Sequence, residues 1–277
     1  MSPLLEFPRN ALQRVIGVFT DIDDTLTTDG AITPDALTAL GALKAAGLHV
    51  IPITGRPVSW SAPFARTWPV DAIVAENGST ALILNKNEHF PASYGHSSLL
   101  KRYQQDAATR AAQFTRMQQV AARVLREVPG ARLAQDSPGR ETDIAIDHSE
   151  FTHLPPDAIA QVVSILRAEG MTATVSSIHI NGWFGAHNKW EGARWIVREL
   201  FGRDLQAEIT RWVYVGDSTN DQVMFEHFPH SVGVANILRF AHALTHLPRY
   251  ITPDERGAGF AQVGDCILAA KSYPIQV

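Results

Sequence analysis

The sequence is poor in cysteine, in excess positive charge and in long apolar runs. A single cysteine, Cys266, among 277 residues excludes an internal disulfide and a multi-cysteine zinc site, and it suits a reducing cytoplasm. Cys266 sits in an apolar stretch and reads as a structural thiol, not a nucleophile. A formal net charge of −4 offers no basic field for nucleic acid or an anionic membrane. No run approaches the roughly 20 apolar residues that span a bilayer. The start, MSPLLEFPRN, has no apolar core behind a positive segment, so no signal peptide is expected. Gly257, Gly259 and Gly264 do not have dinucleotide-binding spacing. His242 and His246 have metal-ligand spacing but no third ligand beside them, and read as a surface helix.

What remains is an ordinary globular composition, 45% hydrophobic and 19% charged, long enough for one large or two modest domains. The stretch from Val15 to Thr27, VIGVFTDIDDTLT, organises the chain. Its apolar half reads as a buried parallel strand that runs into Asp21, Asp23 and Asp24. Three acids within four positions repel one another unless a cation or a reaction uses them. Thr33-Pro34 opens a helix that Gly47 ends. Leu48 to Ile53 is a second strand, ending in Thr54-Gly55-Arg56. A helix over 58–67 follows. Ala72 to Ala75 is a third strand, followed by the turn Glu76-Asn77-Gly78 and a hairpin partner over 80–84. This alternation predicts a parallel sheet with right-handed crossovers.

The pattern then changes. Ser97 to Val128 reads as one long helix, with Leu100, Tyr103, Phe114, Met117 and Val124 on its apolar stripe. Short strands are predicted over 132–135, 142–147, 171–175 and 177–183, with a helix over 155–168. This is the signature of an inserted α+β module. Afterwards the first pattern resumes: a helix from Lys189, then a buried strand, RWVYV, ending in Gly216-Asp217-Ser218-Thr219-Asn220-Asp221. A short helix, a strand over 231–234 and a last helix over 257–271 complete the chain. The predicted division is residues 1–85 with 185–277 as core, and 86–184 as insert.

The polar turns that follow parallel strands share one edge of the sheet. That edge would gather carboxylates, the Thr54 hydroxyl and the Lys189 ammonium. Hard oxygen donors without a histidine or cysteine cluster suit Mg²⁺. A hydroxyl, backbone N–H groups and a lysine suit a phosphoryl group. One carboxylate can attack phosphorus, and a second can serve as acid and then base.

These residues carry a resemblance. Asp21-Ile-Asp-Asp-Thr25 resembles the DxDxT motif of the haloacid dehalogenase (HAD) superfamily, Thr54-Gly55-Arg56 its second motif, Lys189 its third, and Gly216 to Asp221 its GDxxND motif. The four occur in the family's order across both core halves. The insert is similar to the type IIB cap of Cof-like, sucrose-phosphate, trehalose-phosphate and mannosyl-phosphoglycerate phosphatases. The resemblance implies an α/β fold, with a Rossmann-like doubly wound core and an α+β cap. It implies Asp21 as nucleophile and Mg²⁺ ligand, and Asp23 as general acid/base with its carbonyl on the metal. It implies Thr54, Gly55, Arg56 and Asn220 at the phosphoryl group, and Lys189 on both phosphate and nucleophile. Asp217 would ligate the metal directly, with Asn220 and Asp221 completing or supporting that shell. In the cap, Arg140, His179, Asn181 and Trp183 are candidates to touch substrate.

The expected function is therefore a cytoplasmic Mg²⁺-dependent phosphatase of a small phosphate ester, with a sugar phosphate the leading class, working as monomer or homodimer. A phosphotransferase or mutase, or a non-catalytic phosphometabolite sensor, are the alternatives.

Overall fold

The computed structural model describes residues 1–85 and 98–272. Its centre is the strand Gly17–Thr20, buried along its whole length. From edge to edge the main sheet runs Ser2–Pro3, Tyr250–Ile251, Ser231–Gly233, Trp212–Gly216, Gly17–Thr20 and His49–Pro52, with all neighbours parallel. Alternate side chains go to opposite faces. Val18, Val50 and Val213 pack with Leu40, Leu43, Phe260 and Ile267 of the helices Pro34–Ala45 and Arg256–Lys271. Phe19, Ile51 and Tyr214 pack with Trp190, Ile196 and Val197 of the helix Lys189–Phe201. Burial on both faces is why these strands read as unbroken apolar runs. The short strands at 2–3, on the edge, and 250–251, beside it, were not expected from the sequence, because two residues carry no periodic signal.

A parallel bridge between Ile53 and Val74 extends the sheet into an antiparallel hairpin, Ile73–Ala75 with Thr80–Leu84. The hairpin was expected; its third strand was not. Leu99–Tyr103 pairs with Thr80–Leu84, Leu99 opposite Leu84 and Tyr103 opposite Thr80. The helix expected from Ser97 therefore begins only at Ala107, with the Asp106 carboxylate accepting from Thr109 N at 2.9 Å; Ser97 itself lies outside the described residues. Leu100 and Phe114, counted in the apolar stripe, are exposed, and the buried face is Met117, Val120, Ala121 and Val124. Leu100 and Tyr103, three positions apart, fit a helical stripe, and so short a segment cannot be told from a strand until a partner strand supplies its hydrogen bonds.

The insert holds a four-stranded antiparallel sheet, ordered Thr172–Val175, His179–Trp183, Ile144–Asp147 and Arg132–Leu133. Its hydrophobic core joins Ile144, Ile146 and Ile180 to the helices Ala107–Glu127 and Pro156–Ala168. Asp143, His179 and Asn181 are polar yet buried, and Asn181 and Asp143 are hydrogen-bonded to one another at 2.9 Å.

Two glycines set where the helix of Lys189 begins. Gly78 has φ +109°, and a Cβ there would stand 2.3 Å from the Asn188 carbonyl oxygen. A Cβ on Gly192 would stand 2.5 Å from the Gly78 Cα. Only backbone without side chains permits this approach, and it presses the first turn of the helix against the turn that follows Ala75.

Candidate active site

Asp21 directly follows the central strand, and its N–H donates to Val215 O at 2.9 Å. Asp217 directly follows the neighbouring strand Trp212–Gly216. Thr54 follows the strand on the other side and is fully buried. Lys189 is the first residue of its helix, which Asn188 caps by accepting from Glu191 N at 2.9 Å. Three parallel strands and one helix N-terminus thus deliver their side chains to one edge of the sheet.

There Lys189 Nζ lies 2.6 Å from Asp21 Oδ1 and 2.7 Å from Asp221 Oδ1. One oxygen from each of Asp21, Asp217 and Asp221 lies within 4.8 Å of the others, and all three residues are buried. Asp221 is held on every side: Lys189 and the Tyr214 hydroxyl donate to Oδ1, while the N–H groups of Asp217 and Ser218 donate to Oδ2 at 2.9 and 3.1 Å. Asp217 accepts from Thr25 Oγ1 at 3.3 Å and from Asn236 Nδ2 at 3.0 Å.

Burial pushes the Asp21 carboxyl up to about 7; Lys189 opposes this, while Asp221 and Asp23 add to it. Burial, then Asp21 and Asp221, raise Asp217 well above the carboxylate range. Burial disfavours the charged form of Lys189, but Asp21 and Asp221 outweigh it and keep the ammonium ionised. Three buried carboxylates face one ammonium, and a divalent cation would close the charge balance. All the donors are hard oxygens, the set Mg²⁺ prefers, so the residues fit that ion.

Arg56 does not face this cluster. Its guanidinium is buried between core and insert, with Nη2 2.9 Å from Asp23 Oδ1 and 2.8 Å from Glu150 Oε1, and Nη1 3.2 Å from Asp136 Oδ2. His179 Nε2 is 2.8 Å from Glu150. Arg140 is held by Asp136, Asp143 and the Gly55 carbonyl, the last at 2.9 Å. Trp183 is buried in the core of the insert, stacked on His187 with its indole N–H donating to the His187 carbonyl. A cavity of about 10 Å³ lies over Asp21; Asp23, Gly55, Arg56, His179, Asn181 and Asn220 are in its wall, and neither Arg140 nor Trp183 is.

Glu76 was read as part of a turn and is instead a buried tie. With φ +47°, it accepts from the N–H groups of Val58, Glu141 and Thr142 and from the Thr142 hydroxyl. Burial and the nearby Asp143 raise its carboxyl to about 7 despite the Thr142 hydroxyl and Arg140.

Sequence reasoning missed Tyr214, Asn236 and Glu150. Asn236 had a legible signal, since it follows a parallel strand and shares the edge rule that finds Asp217. Tyr214 looks like an ordinary strand aromatic. Glu150 comes to Arg56 from 94 residues away.

The family model for haloacid dehalogenase-like hydrolases matches residues 18–123. No curated protein matches the sequence. Among solved structures, the C-terminal domain of trehalose-6-phosphate phosphatase from C. albicans is 13% identical with TM-score 0.67, over 99% of this chain and 100% of that one. The sucrose-phosphatase of Synechocystis, solved with sucrose and phosphate, is 16% identical with TM-score 0.62, over 91% and 97%. A sugar phosphatase of HAD subclass IIB is 15% identical with TM-score 0.59, over 92% and 98%. At these identities the likeness is one of fold.

Proposed function

We propose that this chain is a haloacid dehalogenase-like hydrolase of the type IIB architecture, a reading that the family model over residues 18–123 supports, and that it is a Mg²⁺-dependent phosphomonoesterase. It acts on a small phosphorylated metabolite, with sugar phosphates the leading class. A cytoplasmic location and a monomeric or homodimeric state belong to the same proposal, as does the division into a core of 1–85 with 185–277 and a cap of 86–184. One observation carries the reading: Lys189 Nζ bridges Asp21 and Asp221 at 2.6 and 2.7 Å beside Asp217.

The Asp21 oxygen not held by Lys189 attacks phosphorus, and the ester P–O bond breaks. Asp23 gives the departing oxygen its proton. The same carboxylate then takes a proton from water, whose oxygen attacks phospho-Asp21 and releases inorganic phosphate. Thr54, the backbone at Gly55 and Asn220 grip the phosphoryl oxygens. Lys189 orients Asp21 and offsets charge on the phosphoryl group. Asp21, Asp217, the Asp23 carbonyl and Asp221 would hold Mg²⁺, which when bound offsets the repulsion between an anionic nucleophile and an anionic ester. Of the cap residues, His179 and Asn181 stand over the phosphoryl position, while Arg140 and Trp183 support the cap.

Turnover of p-nitrophenyl phosphate with and without Mg²⁺ tests this. Asp21→Asn should lose activity by at least on the order of 10³-fold. Retention of wild-type turnover by that variant would overturn the reading.

A further inference from the structure

The cavity over Asp21 holds about 10 Å³, room for about one water-sized group. A leaving group of any size must extend beyond it. A second cavity, of about 380 Å³, adjoins it and shares Asp23, Arg56 and Ile178. Its charged wall is Asp23, Asp24, Asp29, Glu150, Arg56 and Arg256.

Both guanidinium groups in that wall are already committed. Arg256 lies 3.2 Å from Asp24 through Nε and 3.2 Å from Asp29 through Nη1. Arg56 is paired with Asp23 and Glu150 within the wall, and with Asp136 behind it. Even with Asp23 protonated as the acid, three carboxylates outnumber two cations, and neither cation is left over. A second phosphate or a carboxylate on the substrate would have to displace one of these acids and then stand beside the others. Neutral hydroxyls meet no such penalty: carboxylates accept their protons and guanidinium N–H groups donate to their oxygens.

We propose that this cavity receives the leaving group and that its surplus of carboxylates rejects a second anion. The substrate is then the monophosphate of a neutral polyhydroxylated compound, and bisphosphates and phosphorylated sugar acids are excluded by repulsion. This rests on the phosphatase reading above and adds to it which part of the chain selects the substrate. Asp24, Asp29 and Arg256 are core residues, so part of the selection comes from outside the cap.

The test uses the full-length chain with Mg²⁺ and compares two esters as competitors of p-nitrophenyl phosphate hydrolysis. Glucitol 6-phosphate and 6-phosphogluconate share a carbon skeleton and differ in a hydroxymethyl group against a carboxylate. Glucitol 6-phosphate, whose carbon chain is uncharged, should compete with an inhibition constant at least about tenfold lower. Asp24→Asn with Asp29→Asn leaves Arg256 without its acids and should shrink that ratio severalfold. Asp29→Lys, on an exposed loop, should shrink it in the same direction should the double variant fold poorly. A wild-type ratio near one, no competition by either ester at millimolar concentration, or a ratio that none of the variants moves overturns the inference. Absence of any Asp21-dependent p-nitrophenyl phosphate turnover overturns the phosphatase reading instead.

Discussion

Asp21 has a price that can be read as a function of pH. Its carboxyl titrates at about 7 in the folded chain against 3.8 for an ordinary aspartate. Between those values the folded state keeps a proton that the unfolded chain has released. Its contribution to stability is complete below the unfolded value and is lost as pH rises through about 7. Asp217 and Glu76, both buried carboxyls raised by desolvation, act in the same direction. The metal-free protein should therefore melt at a lower temperature at pH 8 than at pH 5. Mg²⁺ should restore most of the difference by binding the folded state alone, and Asp21→Asn should weaken the pH dependence. Thermal melts in EDTA and in Mg²⁺ measure this; a melting temperature in EDTA that does not fall with pH would contradict the burial argument.

The helix Lys189–Phe201 shows how an element aims a side chain. Its first turn sits on the Glu76–Gly78 turn because neither Gly78 nor Gly192 carries a Cβ. In an ordinary helix interior, Gly→Ala stabilises by roughly 1 kcal/mol. Here the new methyl would meet the Gly78 Cα at 2.5 Å, which is backbone against backbone and cannot be relieved by a rotamer change. Gly192→Ala should instead destabilise by about 1–3 kcal/mol, the usual cost of overpacking, and lower kcat by shifting Lys189 from Asp21. Urea denaturation and steady-state kinetics check the two effects, and a stabilised, fully active variant would refute the packing argument. The strand Leu99–Tyr103 teaches the opposite lesson about elements. Its Leu100 and Tyr103 fit a helical stripe, but its hydrogen bonds go to Thr80–Leu84, a choice that no local pattern contains.

At the scale of the whole molecule, Arg56 is one of the ties between the parallel-sheet part and the 132–183 part of the chain, beside Glu76 and Arg140. One guanidinium serves Asp23 on the core and Asp136 and Glu150 on the insert. Removing it leaves Asp23 without its cation in a nearly buried site and takes one partner from Asp136 and Glu150, which keep Arg140 and His179, a costly arrangement. Arg56→Ala should let the insert swing away from the core. Its radius of gyration by small-angle scattering should increase, and the loops joining the two parts should be cut faster by protease. An unchanged scattering profile would show that Arg56 does not hold them together.

Much of this was legible in residues alone. Asp21, Thr54, Lys189 and Asp217 are recognisable because each ends a parallel strand or opens a helix, and a parallel sheet brings such positions to one edge whatever the loops between them do. Periodicity likewise marks the central strands, since burial on both faces requires apolar residues at every position. Arg56 could not be assigned this way. As part of a phosphate-binding motif it reads as an anion ligand, whereas folding surrounds it with acids from residues 23, 136 and 150. Glu76, Asn236 and the strand at 99–103 acquire their partners in the same manner, across long stretches of chain. Local pattern settles which way a side chain faces; the charges and hydrogen bonds it meets there depend on distant segments, and only their packing brings those together.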